Sequence, residues 1–210
     1  MHPTTRETKK LLKEYTALAP DYDQRWSAYL RASHSMTANL AADLPAERVL
    51  DVACGTGQLL ETLATHPDDP ELFGIDRVPA MLGVASERLG QRATLLEGVA
   101  EKLPFDDAAF PLVTCTNALH YFPDADASLH EMRRVIAPYG NLVITDWCRD
   151  YALMKLLNGF LPLTRHAHVH AFSLRELELS LARADFKIIG SNKKKIDWFW
   201  ALMTVHAVPD

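Results

Sequence analysis

Residues 49–60 read Val49-Leu50-Asp51-Val52-Ala53-Cys54-Gly55-Thr56-Gly57-Gln58-Leu59-Leu60, an apolar run that breaks at two glycines. This pattern predicts a buried strand, a tight turn and a helix, the junction at which α/β proteins bind cofactors. Gly55 and Gly57 have no Cβ, so the backbone can turn sharply and a ligand can approach its amides. The carboxylate of Asp51 ends the strand, where it favours a cationic or hydroxyl-bearing ligand over a pyrophosphate.

A second predicted strand also ends in a carboxylate. Residues 71–75 lead into Asp76, nineteen residues after Gly57, where an acid can accept both hydroxyls of a ribose. A dinucleotide fingerprint would need a third glycine at the position of Leu60, whose side chain is too bulky for close packing under a pyrophosphate. The pattern therefore favours a ribose-containing cofactor other than a dinucleotide.

The composition is typical of one globular domain. The chain has 210 residues, of which 48% are hydrophobic and 23% charged, enough for a substantial core. The net charge is −5, so the chain lacks the positive potential that attracts a nucleic-acid backbone. We therefore expect no nucleic-acid partner. The most apolar helical window, residues 151–163, is too short and too interrupted to span a bilayer.

The cysteines and lysines carry weaker signals. Cys54, Cys115 and Cys148 lie in or just after apolar strand-like segments, so we expect reduced, mostly buried thiols in a cytoplasmic protein. The N-terminus lacks the apolar core of a signal peptide. Residues 193–195, three consecutive lysines, are predicted to form a solvated hairpin turn.

Strand and helix patterns alternate along most of the chain. Two helices, over 5–19 and from Asp21 towards Leu40, precede predicted elements at 48–53 (strand), 57–65 (helix), 71–75 (strand), 79–89 (helix), 93–97 and 111–116 (strands), 125–137 (helix) and 141–146 (strand). This alternation predicts an α/β fold, a parallel sheet with helices on both faces. A capping box at Ser173 and Glu176 opens a helix to about Ala184. The β-rich runs 186–190 and 196–207 predict a C-terminal β-hairpin at the edge of the sheet.

We interpret residues 1–210 as a single domain with four parts. Residues 1–42 are predicted to form an N-terminal helical lid and 43–149 the cofactor-binding core. Residues 150–184 are predicted to form a cap on the acceptor side, and 185–210 the C-terminal hairpin.

Three motifs occur in order along the core, at residues 49–57, 74–82 and 97–105. Their sequence and spacing resemble the cofactor motifs of class I S-adenosylmethionine-dependent methyltransferases, specifically the ubiquinone/menaquinone C-methyltransferase-like type (methyltransferase type 11). The resemblance covers residues from about 10 to 146. It implies a Rossmann-like, mostly parallel seven-stranded sheet with a helical cap, S-adenosylmethionine as cofactor, and methyl transfer to a small-molecule acceptor.

The resemblance also implies which residues bind the cofactor. Asp51 and the glycine turn would hold the methionine part, Asp76 the ribose, and Ala100 and Glu101 the adenine. A tyrosine of the lid, Tyr22, would close over the methionine end. The implied cofactor-binding set is Tyr22, Asp51, Ala53, Gly55, Gly57, Asp76, Arg77, Met81, Ala100, Glu101, Asn117 and Leu119.

His120 is the candidate catalytic base, because it leaves the fourth strand beside the cofactor loop and imidazole is suited to proton transfer at neutral pH. Packing in the loop is the alternative role for His120. The acceptor is expected to be lined by Tyr121, Trp147, Arg165, His166, His168 and His170. The three closely spaced histidines would share one face of an extended segment. We expect no metal, because no fourth ligand is evident, although metal binding and a solvated loop remain alternatives.

Two other functions remain open at this stage. A nicotinamide-dependent oxidoreductase is disfavoured by Leu60 and Asp51. A non-catalytic protein that binds S-adenosylmethionine or S-adenosylhomocysteine would keep Asp51 and Asp76 but lack an acceptor pocket. The acceptor atom (C, O or N) is undetermined, and the protein is expected to be a monomer or a homodimer.

Overall fold

The computed structural model describes residues 5–151, 171–197 and 201–210. The helices are α1 (Thr5–Leu18), α2 (Tyr22–Arg25), α3 (Ser27–Ala41), α4 (Gln58–Leu63), α5 (Pro79–Leu89), α6 (Ala125–Val135) and α7 (Leu174–Arg183). The strands are β1 (Arg48–Val52), β2 (Glu71–Asp76), β3 (Ala93–Glu97), β4 (Phe110–Thr116), β5 (Ile136–Trp147), β6 (Phe186–Lys195) and β7 (Ala201–Pro209).

The strands form one seven-stranded sheet in the order β3-β2-β1-β4-β5-β7-β6. Neighbouring strands from β3 to β5 are parallel, whereas β7 runs antiparallel to both β5 and β6. The strand order reverses between β1 and β4, and ligands of open α/β sheets bind outside the carboxyl ends of strands at such a point. The predicted fold class, including the C-terminal antiparallel pair at the edge, is therefore confirmed.

The core lies on both faces of the central strands. Leu50 and Val113 belong to one buried cluster, and Val49 and Leu112, their neighbours along the same strands, belong to another. Since side chains alternate across a strand, consecutive buried residues show that both faces are covered. The cysteines predicted to be buried are buried and free.

The lid helix predicted from Asp21 towards Leu40 is wrong as a single element. Trp26, with φ −111° and ψ 17°, leaves the helical region and separates α2 from α3. As a result α2 contacts the glycine turn through Asp23, while α3 packs along β4 and β5.

The prediction of a lysine turn is also wrong. Lys193, Lys194 and Lys195 belong to β6 and pair with residues 203–201 of β7. Because β6 is an edge strand, it is largely exposed, and lysines on such an edge discourage pairing with other chains. The predicted capping box does form, since the Ser173 hydroxyl accepts the Glu176 amide and the Glu176 carboxylate accepts the Ser173 amide.

Candidate active site

A cavity opens at the carboxyl ends of β1, β2 and β4, beneath the lid helices. It contains about 810 Å³ of empty space, including space open to solvent. Eight of the twelve predicted cofactor-binding residues line it: Tyr22, Asp51, Ala53, Gly55, Asp76, Arg77, Met81 and Asn117. The topology therefore brings together residues that are up to 95 positions apart (117 − 22) in the sequence.

A second, narrower cavity of about 310 Å³ adjoins the first. It is lined by Gly98, Ala100 and Glu101, and it shares Asp76 and Arg77 with the first cavity. Of the predicted set, Gly57 and Leu119 line neither cavity. Both are buried, and Leu119 belongs to the main hydrophobic cluster.

The glycine turn has three residues in the left-handed region, namely Ala53 (φ 61°), Gly55 (φ 54°) and Gly57 (φ 76°). A Cβ on Gly55 would meet nothing within 4 Å, because this position borders the cavity. A Cβ on Gly57 would lie 2.9 Å from the Leu89 side chain. The first glycine therefore keeps space open for a ligand, and the second allows α5 to pack closely.

Asp76 connects the turn to the second strand. One carboxylate oxygen accepts the Gly55 amide at 2.9 Å, and the other accepts the Val78 amide at 2.8 Å. Desolvation raises the pKa of this carboxyl, while the two backbone hydrogen bonds oppose that effect. Since a carboxylate has about four acceptor sites, Asp76 can still accept ligand hydroxyl groups.

Asp51 is 3% exposed at the floor of the cavity. One of its oxygens accepts a hydrogen bond from the Thr114 hydroxyl at 2.8 Å. Burial raises the pKa of Asp51 to about 7, and the charge of nearby Asp76 adds to this effect. A cationic group entering the cavity would stabilise the ionised form of Asp51.

Three tyrosines form an aromatic wall. The ring of Tyr15 lies 6.0 Å from that of Tyr22 and 5.6 Å from that of Tyr121, measured between centroids. Burial raises the pKa of each phenol, so all three are neutral near pH 7. All three line the cavity, including Tyr121, which was predicted on the acceptor side.

Asp23 and Arg88 fasten the lid, although neither was predicted as a site residue. The Thr56 hydroxyl donates to the Asp23 carboxylate at 2.6 Å, and the Arg88 guanidinium lies 2.5 Å from the other carboxylate oxygen. Arg88 also donates to the Thr56 carbonyl at 2.5 Å. The lid, the glycine turn and α5 are therefore joined through one ion pair.

Asn117 adopts a left-handed conformation (φ 60°) directly after β4. Its side-chain oxygen accepts the Tyr29 hydroxyl at 2.7 Å, and its amide nitrogen donates to Ser33 at 2.7 Å. Trp147 donates from its indole nitrogen to the Tyr29 hydroxyl at 2.6 Å. Trp147 was predicted to line the acceptor site. It is absent from the described lining of the cavity and instead packs next to it, bonded to Tyr29.

His120 is 3% exposed and does not line the cavity formed by the described residues. Its Nδ1 lies 2.5 Å from one oxygen of Asp146, and the other oxygen accepts the His120 amide at 3.0 Å. The ring stacks on Trp147 at 4.1 Å. Its Nε2 is buried and has no hydrogen-bond partner among the described residues.

Arg165, His166, His168 and His170 lie outside the described residues, so their predicted place at the acceptor remains a prediction. Among the residues that the structure describes, no three metal-binding side chains cluster. In the same portion of the chain, no helix has the length and apolar character needed to cross a membrane. Cavity-lining residues that the sequence did not indicate include His34 and Phe122.

Comparisons with known proteins agree with this geometry. A family model described as "Methyltransferase domain" matches residues 49–140. A demethylmenaquinone methyltransferase from Thermus thermophilus is 35% identical over 141 residues, which cover 63% of this chain and 64% of that protein. A ubiquinone/menaquinone biosynthesis C-methyltransferase UbiE from Paraburkholderia phymatum is 32% identical over 157 residues, covering 71% and 65%. The chain thus spans slightly less than two thirds of these relatives.

The fold also matches solved structures. The crystal structure of the YcgJ protein from Bacillus subtilis superposes with a TM-score of 0.73, covering 85% of this chain and 98% of that one. At 18% sequence identity, this match supports the fold alone.

Proposed function

We propose that this chain, which belongs to the methyltransferase domain family, transfers a methyl group from S-adenosylmethionine to a small-molecule acceptor. The observation that carries the proposal is the pair of adjoining cavities that share Asp76 and Arg77 at the switch point of the sheet. A ligand with an adenosine part and an amino-acid part needs two such connected spaces.

The polar groups on the cavity walls fit that cofactor. The narrow cavity beside Ala100 and Glu101 suits a flat base, and Asp76 at the junction suits ribose hydroxyl groups. Asp51, buried on the floor of the larger cavity, suits an ammonium group. The glycine turn lets a ligand approach the backbone closely at Gly55.

When bound, S-adenosylmethionine supplies an electrophilic methyl group for in-line displacement from its sulfonium. The residues of this chain have to align the acceptor and exclude water, and such positioning contributes on the order of 7–11 kcal/mol in favourable cases. Tyr15 and Tyr22 cover the cavity from the lid, while Tyr121 faces it from the loop after β4. In this proposal His120 removes a proton from acceptors that must lose one, with Asp146 holding its Nδ1.

The aromatic wall favours a planar acceptor. Tyr15, Tyr121 and Phe122 line the larger cavity together, and aromatic side chains bind ring-shaped ligands through offset or edge contacts. The names of the two curated relatives refer to menaquinone and ubiquinone biosynthesis. We therefore propose a reduced quinone or a similar phenolic ring as the acceptor class.

Incubation with cofactor labelled on its methyl group tests the function. The purified chain should transfer label to at least one reduced naphthoquinone or benzoquinone, detected as a mass gain. The Asp76→Ala variant should transfer much less at low cofactor concentration. Absence of S-adenosylhomocysteine binding by the wild-type chain in calorimetry would refute the cofactor assignment.

One observation favours a second candidate, a protein that binds the cofactor without catalysis. His120 is buried away from the described cavity wall, and no other imidazole except His34 lines that wall. This candidate predicts normal S-adenosylhomocysteine binding with no methyl transfer to any acceptor in the panel.

A further inference from the structure

We propose that His34 donates a hydrogen bond to the carboxylate at the amino-acid end of the cofactor and so selects ligands that carry this end. The proposal rests on the proposed function and adds a residue that neither the motifs nor the comparisons indicate.

His34 lies on a different face of α3 from Ser33 and Thr37. Ser33 and Thr37 of the same helix hydrogen-bond Asn117 and Thr116 at the strand ends. His34, one turn after Leu30, lines the cavity together with that leucine. Thr56 and Leu59, from the glycine turn and the start of α4, line the same cavity.

The imidazole of His34 makes no hydrogen bond with any described residue. Other polar groups on the wall are already engaged: Asp51 accepts Thr114, and Asn117 bonds Tyr29 and Ser33. The Thr56 hydroxyl is engaged by Asp23. The imidazole of His34 is half-buried on the cavity wall, so it can hydrogen-bond a ligand group there.

Desolvation keeps the imidazole of His34 neutral near pH 7. Burial lowers its pKa to about 4, while the nearby charges of Asp23 and Arg88 act in opposite directions. Those two residues are paired with each other, so neither supplies a free charge to the ligand. An uncharged imidazole still carries one N–H donor.

A carboxylate needs such a donor at this end of the cavity. Asp51 would repel it and attract the neighbouring ammonium group. Arg77 is the only lysine or arginine on the described cavity wall, and it borders the junction with the narrow cavity, where the ribose is proposed to bind. His34 lines the larger cavity and not the narrow one, and its imidazole can donate to the carboxylate there.

Calorimetry with two ligands tests the assignment. S-adenosylhomocysteine has the amino-acid end, whereas 5′-methylthioadenosine lacks it. In His34→Leu we expect the affinity for S-adenosylhomocysteine to fall about 10- to 100-fold, as for a lost hydrogen bond to a charged group. The affinity for 5′-methylthioadenosine should stay within about twofold, since this ligand lacks the amino-acid end to which the lost N–H group donates.

Two variants control for folding and donor chemistry. His34→Gln keeps an N–H donor and should recover most of the affinity for S-adenosylhomocysteine. His130→Leu, at an exposed histidine of α6, should bind both ligands as the wild type does. Equal losses for both ligands in His34→Leu, or no loss for either, would overturn the role of His34. If the wild-type chain binds neither ligand, the proposed function itself has failed.

Discussion

The carboxylate of Asp23 accepts the hydroxyl of Thr56 at 2.6 Å and thereby joins the lid to the glycine turn. Thr56 lines the cavity, so this contact joins the N-terminal helices to the cavity wall. Asp23 is also paired with Arg88 of α5, and both side chains are largely shielded from solvent.

We predict that Asp23→Ala speeds release of S-adenosylhomocysteine and weakens its binding by about 1–3 kcal/mol, because Thr56 and Arg88 lose their charged partner. Stopped-flow measurement of the dissociation rate checks this. The control is Asp21→Ala, which removes an exposed carboxylate two residues earlier and should leave the rate unchanged. Equal rates in all three proteins would show that the pair does not hold the lid.

Asp76→Ala should weaken binding of S-adenosylhomocysteine by about 1–3 kcal/mol, the usual cost of losing a charged hydrogen-bond partner. The variant also loses acceptors for the Gly55 and Val78 amides, so its stability must be measured alongside. Comparing adenosine with 2′,3′-dideoxyadenosine isolates the ribose contribution. If the wild type and the variant discriminate equally between these two ligands, Asp76 does not bind the ribose.

The raised pKa of Asp51 predicts that the affinity for S-adenosylhomocysteine depends on pH. Its carboxyl, with a pKa of about 7 in the folded protein, must be ionised to pair with an ammonium group. Affinity for S-adenosylhomocysteine should therefore fall by up to about tenfold per pH unit below pH 7 and level off above it. Calorimetry in buffers of different ionisation enthalpy should detect proton release near pH 6.5. The Asp51→Asn variant should bind weakly at every pH and release no proton.

The raised pKa of Asp51 makes the stability of the ligand-free protein fall with rising pH, whereas the affinity for the ligand rises. Because the folded carboxyl of Asp51 keeps its proton to a higher pH than the unfolded one, it makes the ligand-free protein less stable as the pH rises from about 4 to about 7. Bound cofactor should reduce this loss, since an ammonium group favours the ionised form.

The sheet and the glycine turn could be predicted from sequence because their signals are local. Apolar runs, the two glycines and the acids at strand ends occur within short stretches, and parallel strands bring such ends to one edge. The break at Trp26 and the extended strand through Lys195 could not be predicted this way. The first has no proline or glycine to mark it, and the second depends on pairing with β7.

The rest of the site depends on contacts across space. Asp23 and Arg88 are 65 residues apart, and neither was predicted as a site residue. His34 follows an ordinary helical pattern, and only the fold shows that its face of α3 meets the cavity. The burial of His120 against Asp146 is likewise set by the packing of β5 beside the loop after β4.

The two glycines of the turn should respond differently to substitution. Gly57→Ala should destabilise the fold, because the new Cβ would lie 2.9 Å from Leu89 and 3.1 Å from Ala85 at a φ of 76°. At Gly55 an added Cβ would meet no protein atom within 4 Å, so for Gly55→Val we expect a strained but folded protein that no longer binds S-adenosylhomocysteine. Thermal unfolding and calorimetry on both variants separate these effects. Normal cofactor binding by Gly55→Val would exclude the turn as the binding loop.

His120 has a proposed catalytic role and an observed packing role, and the two roles predict different effects of substitution. His120→Gln should lower turnover while leaving the affinity for S-adenosylhomocysteine within about twofold, since a base acts on the proton of the acceptor. Losing the hydrogen bond between the imidazole and the buried Asp146 carboxylate should also lower the free energy of unfolding, by about 1–3 kcal/mol.

Comparison with Asp146→Asn separates the two roles of His120. Both variants disturb the buried pair, but Asp146→Asn retains the imidazole and should keep more activity than His120→Gln at a temperature where both are folded. Denaturant unfolding followed by initial-rate measurement below the unfolding transition checks this order. If the folded His120→Gln variant turns over at the wild-type rate, His120 only packs the loop. Alignment of acceptor and cofactor would then account for the catalysis without a base.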